Sequence, residues 1–470
     1  MRKAYEMGFG KTSSEYENVS LDIQGKIPPW IEGELIRNGP GTFRVGDEHY
    51  RHWFDGLAML HKFSIKGGKV GYTNRFLGCK AYDQALQTGR ISFSEFATDP
   101  CDKLFHRIKT LFRPKLTDSA KVNVAHFDSR YLALGETPMQ IEFDRKTLES
   151  CGVYQYDRNN MHVTTVHPHI DTRRGELYNL VIRFGRKSTY QLIRSKGHTT
   201  EPVARIRTTH PAYIHSFGSS PNYFILAEYP LRVYPLNILL SGKPFIENYR
   251  WQPEKGTLFY IISRQNGKTV CHLETEPFFA FHHVNAFEKE DKLFVDLIKY
   301  PTAEIIESFY LDKIKSEKKP LPGGRLVRFA MDLLTGKLKE YALSDEDVEL
   351  MRFDHERFNM SPDYNIVYTT GLNKNAGNSF YDQLTKIDLS LGSSKIWYQK
   401  GCFPGEPVFV GKPGRTKEDE GVVISVVLDE NAGRSFLLIL DAETFSELAR
   451  VNAPHAILFG YHGEFFQDTE

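Results

Sequence analysis

The stretch RFAMDLLTGKLKEY, residues 328–341, reads as an apolar strand ending at Asp332, a turn carrying Thr335 and Gly336, and a second strand. Asp and Thr bend the chain by bonding their own backbone, and Gly tolerates the left-handed geometry a tight turn needs. The same pattern recurs in QIEFDRKTLES (140–150), LTKIDLSLGSSKIWY (384–398) and LLILDAETFSELARV (437–451), with Asp144, Asp388 and Asp441 at the bend. Asp332, Asp388 and Asp441 lie 56 and 53 residues apart (388 − 332, 441 − 388). A hairpin returning at roughly 50 residues is the spacing of propeller blades. Any β-protein contains hairpins, so the repeat points to a propeller without excluding other all-β folds.

The rest of the chain bounds the function. Its 470 residues contain no low-complexity segment and no linker long enough to separate domains, so a single domain over 1–470 is expected. Lys and Arg total 60 against 59 for Asp and Glu. That balance gives no basic surplus for nucleic acid. The 33 Phe and 24 Tyr suit strands and apolar ligand tunnels. Cys79, Cys101, Cys151, Cys271 and Cys402 are scattered, odd in number and form no CxxC, which predicts reduced thiols and a cytoplasmic setting. The first twenty residues lack an apolar signal core. The longest apolar runs, such as Val422 to Leu428, are strand-sized and too short to span a bilayer.

Attachment to a membrane from one side remains open. After Asp99-Pro100, the segment CDKLFHRIKTLFRPK places Leu104, Phe105, Ile108, Leu111 and Phe112 on one helical face, flanked by Lys and Arg. A basic amphipathic helix of this kind can lie in a membrane interface, although most such helices pack on their own protein. LRVYPLNILLSGKPF, from Leu231 to Phe245, is a second apolar loop.

Four histidines occupy apolar, strand-like settings: His167 in TTVHPHI, His215 in AYIHSFG, His282 in FFAFHHVN and His462 in LFGYHGEFF. They lie 48, 67 and 180 residues apart (215 − 167, 282 − 215, 462 − 282). Any one alone is most simply a hydrogen-bonded core residue. Gathered by the fold, they would make a four-nitrogen metal centre, and imidazole suits Zn, Cu, Fe and Ni alike. His282 and His283 point to opposite faces of an extended chain, so at most one of them can face a shared axis. P-loop, HExxH and GxSxG signatures are absent from the sequence.

Further segments carry a family resemblance. IRNGPGTF (36–43), the run HWFDGLAMLHKF from His52, TDPCDKLF, HPHID, YIHSFG, FHHVNAFE, GEPVFV and the terminal YHG resemble the carotenoid cleavage oxygenases over nearly the whole chain and in order. TDPC with the basic aromatic segment behind it is similar to the animal branch, which includes carotene oxygenases and a retinoid isomerase. The resemblance implies a seven-bladed β-propeller with a helical and loop cap over one face. It also implies one Fe(2+) per chain on the propeller axis, held by His167, His215, His282 and His462. Family glutamates that bond the ligand imidazoles match Glu136 in LGETPM and Glu406 in GEPVFV. The third family position, Glu-Phe-Pro-x-x-Asn, is set against Asp354 to Asn359, with Asp354 in the place of the glutamate and Glu356 as its substitute.

Four neutral donors would keep ferrous iron with two octahedral positions free. A conjugated alkene can supply the four electrons that reduce O2, so no separate reductant is needed. The activity implied is cleavage of a carotenoid or apocarotenoid double bond by O2 to aldehydes, retinal among them, with no acid–base residue beyond the metal centre. A retinoid isomerohydrolase, a stilbene-cleaving dioxygenase and a non-catalytic ligand-binding propeller are the alternatives.

Overall fold

The structure is a computed structural model that describes residues 4–12, 14–100, 117–155, 162–197, 199–316, 320–375 and 380–468. The amphipathic segment with Leu104, Phe105, Ile108, Leu111 and Phe112 therefore lies outside the described residues.

Seven antiparallel sheets of four to six strands form a seven-bladed β-propeller. In chain order, blade 1 starts at Asn123–Phe127, blade 2 at His162–Thr164 and blade 3 at Gly218–Ser219. Blade 4 starts at His283–Lys289, blade 5 at Val348–Arg352 and blade 6 at Cys402–Pro404. Blade 7 is composite. Its first strand, Gly463–Gln467, pairs with Gly33–Thr42 from the start of the chain. The neighbouring blade borrows Ile23–Gly25, which pairs with Glu447–Asn452. The ring is thus closed twice by strands from opposite ends of the chain, and no open edge is left where it joins.

The aspartate-marked turns explain how four blades end. Asp332 Oδ1 accepts the backbone N–H of Leu334 at 3.1 Å and of Thr335 at 2.9 Å. Asp388 does the same for Ser390 and Leu391, at 2.9 and 3.0 Å. Asp144 accepts from Lys146 and Thr147, and Asp441 from Thr444. Each bend sits between the third and fourth strands of a blade, counted outward from the axis. The outermost strands are largely exposed, whereas the strands inside them carry unbroken buried runs such as Leu437 to Leu440.

Three excursions from the blades build a cap over one end of the axis: residues 77–100 with 117–122, the connection 229–256, and residues 300–316 with 320–324. Backbone bonds tie them together. Ile246 N–H reaches Phe96 O at 3.0 Å, Trp53 N–H reaches Phe309 O at 2.9 Å, and Leu311 N–H reaches Arg51 O at 2.9 Å. Trp53, Phe54, Phe96, Phe281 and Phe309 form one aromatic cluster, mostly in edge-to-face contacts. Among the described residues no helix is long and apolar enough to cross a membrane. Cys79, Cys151, Cys271 and Cys402 are free thiols.

Candidate metal centre

The first strands of the blades line the axis, and the four histidines sit at or beside their starts. His215 precedes Gly218–Ser219, His282 directly precedes His283–Lys289, and His462 directly precedes Gly463–Gln467. His167 lies between the two short strands His162–Thr164 and His169–Asp171 of blade 2. Their nearest ring nitrogens all fall within 4.8 Å of one another. His282 and His462 meet Nε2 to Nε2 at 3.3 Å. The rings of His167 and His282 stand at 90° and those of His282 and His462 at 78°, so the edges converge and the faces do not stack.

Carboxylates orient three of the four rings. His215 Nδ1 lies 2.7 Å from Glu136 Oε1, His282 Nδ1 2.7 Å from Glu349 Oε1, and His462 Nδ1 2.7 Å from Glu406 Oε1. A carboxylate can only accept, so each Nδ1 carries the proton and each Nε2 turns a lone pair to the axis. Blades 2, 3, 4 and 7 thus supply the imidazoles, and blades 1, 5 and 6 supply the carboxylates. Every blade contributes one group.

Each carboxylate is itself held. The Tyr213 hydroxyl donates to Glu136 at 2.7 Å and the Tyr300 hydroxyl to Glu349 at 2.6 Å. Glu406 receives Arg37 at 3.0 Å, Arg352 at 3.1 Å and the Gly463 N–H at 2.9 Å. Burial favours a protonated Glu406, but Arg352, His462 and Arg37 outweigh it and hold the group well below the usual carboxylate range. Burial lowers His462 to about 4 against the opposing pull of Glu406. Burial also lowers His167 well below the usual imidazole range, with the neighbouring imidazoles adding to the effect. His215 is lowered by burial too, so His167, His215 and His462 are neutral near pH 7, the form that binds a metal ion.

The donor set fits a metal. His167 Nε2 is buried and has no hydrogen-bond partner among the described residues. An orphaned buried acceptor aimed at three other imidazole nitrogens is costly unless a cation completes it.

Two expectations need correction. Asp354 does not reach His282. It forms a two-pronged ion pair with Arg415, at 3.0 and 3.0 Å, and accepts from the backbone N–H of Arg357 in the short helix His355–Phe358. Glu356 also turns to Arg415, at 2.6 Å. The group on His282 is Glu349, five residues upstream (354 − 349). A register shift between Glu349 and Arg352, with Leu350 at φ 49, bulges the first strand of blade 5 and turns Glu349 to the axis. Glu349 begins a six-residue stretch ending at Asp354. Its spacing matches Glu-Phe-Pro-x-x-Asn once Leu350 stands for Phe, Met351 for Pro and Asp354 for Asn, and that triple replacement hid it in the sequence.

The histidines close in sequence to two of these ligands, His283 and His169, turn elsewhere. His283 Nδ1 bonds the Ser216 hydroxyl at 2.8 Å, and His169 Nε2 bonds Phe217 O at 2.8 Å.

A cavity opens on the cap side of the centre. Its wall includes His215, His282 and His462 together with Trp53, Phe54, Phe96, Phe245, Phe281, Phe309 and Tyr461. Such a wall suits a long apolar ligand and keeps water from the metal position.

Comparison with known proteins agrees with this architecture. A family model described as retinal pigment epithelial membrane protein matches residues 9–467. The chain is 32% identical to a carotenoid isomerooxygenase of Galleria mellonella, over 96% of this chain and 94% of that protein. It is 31% identical to a chloroplastic carotenoid cleavage dioxygenase 8 of Arabidopsis thaliana, over 96% and 84%. Against human beta,beta-carotene 15,15'-dioxygenase it is 30% identical over 98% and 95%. Among solved structures, a mutant of Synechocystis apocarotenoid oxygenase superposes with a TM-score of 0.88 at 25% identity, over 100% of this chain and 99% of that one. A cobalt-substituted form of the Synechocystis enzyme gives 0.87 at 26% identity, with the same coverage. With its propeller, its axial histidines and a family match along nearly its whole length, the chain belongs to the retinal pigment epithelial membrane protein family of carotenoid oxygenases.

Proposed function

We propose that the protein is an Fe(II)-dependent dioxygenase that cleaves one double bond of a carotenoid or apocarotenoid into two carbonyl products. The observation that carries this reading is the juxtaposition of four inward-facing imidazoles with a largely apolar, aromatic cavity. Relatives named for cleaving carotenoids support it.

His167, His215, His282 and His462 would hold one ferrous ion, and Glu136, Glu349 and Glu406 fix three of those rings. Bound there, iron would supply the activation of O2. The residues of this chain position the substrate. The aromatic wall holds a rigid polyene in one register, and that register selects the bond beside the metal position. No titratable side chain has to give or take a proton, because the alkene carbons and the two oxygen atoms of O2 account for both products. Retinal is one such product if the substrate supplies its carbon skeleton.

Work at a membrane surface follows from the substrate, since carotenoids partition into lipid. We place the protein in the cytoplasm, attached to a bilayer from one side. The short helix Pro235–Leu240 supports this: Leu236 and Leu240 are 62% and 59% exposed, and Tyr234 beside them is 51% exposed. The same segment continues to Phe245, which lines the cavity. An exposed apolar patch beside a cavity mouth suits entry of a ligand from lipid.

Oxygen uptake tests the activity. Iron-loaded protein given an apocarotenal should consume O2 as the polyene absorbance falls. A retinoid isomerohydrolase would convert a retinyl ester without consuming O2, and that result would replace the cleavage reading.

A further inference from the structure

The wall of the cavity is mostly apolar, but it contains a buried ion pair. Lys121 Nζ lies 2.6 Å from Glu95 Oε2, and the two side chains are 5% and 1% exposed. Both line the cavity, with Ser94, Thr117 and Ser119 beside them. Desolvating two charges commonly costs more than their attraction returns, so a cavity that took only hydrocarbon would gain nothing from them.

The pair leaves bonding capacity unspent. Glu95 Oε1 is buried and has no hydrogen-bond partner among the described residues. Lys121 uses one proton on Glu95 and aims a second at Ser119 O over 3.4 Å. An ammonium carries three donors, so one remains. An acceptor and a donor thus stand side by side in the wall. A hydroxyl answers both, because its proton goes to Glu95 Oε1 and its oxygen accepts from Lys121. A carbonyl would use only Lys121, and a hydrocarbon would use neither. Burial also raises the Glu95 carboxyl to about 7 against the pull of Lys121.

The pair lies near the metal centre. Lys121 directly precedes Val122, whose carbonyl accepts the backbone N–H of His462 at 3.2 Å. The Thr117 N–H bonds Ser94 O at 3.3 Å and draws the two chain segments of the pair together.

We propose that Glu95 and Lys121 form a hydroxyl-recognition subsite, which selects conjugated substrates that carry an alcohol. This rests on the polyene-cleavage reading and narrows its substrate class. The hydroxyl has two possible sources, a hydroxylated end ring or a chain-terminal alcohol.

Binding to the iron-loaded protein, measured under nitrogen by quenching of tryptophan fluorescence, separates them; Trp53 lines the cavity. The ligands are a parent apocarotenal, the same compound with a ring hydroxyl, and the corresponding apocarotenol. At least one hydroxylated ligand should bind the unaltered protein about 10- to 100-fold more tightly than the parent, as expected for a hydrogen bond to a charged group. In Glu95→Leu/Lys121→Met, which removes both charges together, that preference should fall to within about twofold. A general loosening of the cavity would weaken both ligands alike and leave the ratio intact. Glu95→Gln/Lys121→Met is the milder variant if the first does not fold, and it should lower the ratio at least about fivefold. Equal affinity of the unaltered protein for all three ligands, or a preference that survives in the folded variant, overturns the subsite. Turnover is read separately under air. Absence of cleavage with a preserved binding ratio would sink the dioxygenase reading alone, and cleavage without preference would sink the subsite alone.

Discussion

Glu349 Oε1 stands 2.7 Å from His282 Nδ1, while the Tyr300 hydroxyl holds its other oxygen at 2.6 Å. This pair completes a set in which three carboxylates orient three of four axial imidazoles. Because Glu349 does this and Asp354 does not, the two residues should respond differently to substitution. Glu349→Gln should weaken metal binding by about 10- to 100-fold. Asp354→Asn should leave metal affinity unchanged and loosen only the contact with Arg415. Competition with a chelator reads both. Equal losses in the two variants would return Asp354 to the metal site.

Among the described residues no carboxylate bonds His167, and its buried Nε2 has no hydrogen-bond partner. His167→Ala should therefore empty the site as fully as His215→Ala, His282→Ala or His462→Ala. His169→Ala should keep a full complement of metal, since His169 is bonded to Phe217 O. Metal analysis of the purified variants decides this. Full occupancy in the His167 variant would reduce the centre to three ligands.

Membrane attachment can be tested at the helix Pro235–Leu240. Replacing Leu236 and Leu240 together by Ser should cut co-sedimentation with liposomes by tenfold or more, since each leucine buried in lipid contributes about 1.5–3 kcal/mol. Cleavage of detergent-dispersed substrate provides the control for folding. Undiminished liposome binding would assign attachment to another surface.

Acid should weaken the cap through His52. Its Nε2 lies 2.8 Å from Ile306 O, its Nδ1 accepts the Phe54 N–H at 3.0 Å, and aromatic rings surround it. The ring must be neutral to make both bonds. Burial lowers its pKa from 6.5 to about 3. Below pH 6.5 the unfolded chain takes up a proton that the folded protein refuses. Stability is therefore whole above 6.5 and is lost progressively as pH falls from about 6.5 towards 3. His52→Gln should lower stability at pH 8 but flatten the decline between pH 8 and pH 5, read from urea midpoints. A decline of the same slope in the variant would remove His52 as a source.

The fold was legible where the turn chemistry was local. Asp144, Asp332, Asp388 and Asp441 each close a bend with their own backbone, so a one-dimensional reading finds them. Blades 2 and 3 were silent because their outer turns, at Lys196 to Thr199 and Ser263 to Lys268, lack that aspartate. The composite blade was silent too, because pairing between residues 33–42 and 463–467 leaves no local mark. The four histidines were legible through the wording of the segments around them. Glu349 was not, since a strand bulge aims it and the anchoring Pro and Asn of its motif are replaced by Met351 and Asp354. The Glu95–Lys121 pair went unread because nothing in either segment reveals that the other faces it across a cavity.

The central claim is that O2 is split between the two halves of a broken double bond. The direct test is a brief single turnover of iron-loaded protein with an apocarotenal under 18O2, with both carbonyl products trapped by reduction and weighed by mass spectrometry. The account predicts one 18O atom in each product. Label in neither product, or a product with the intact polyene chain, would contradict it.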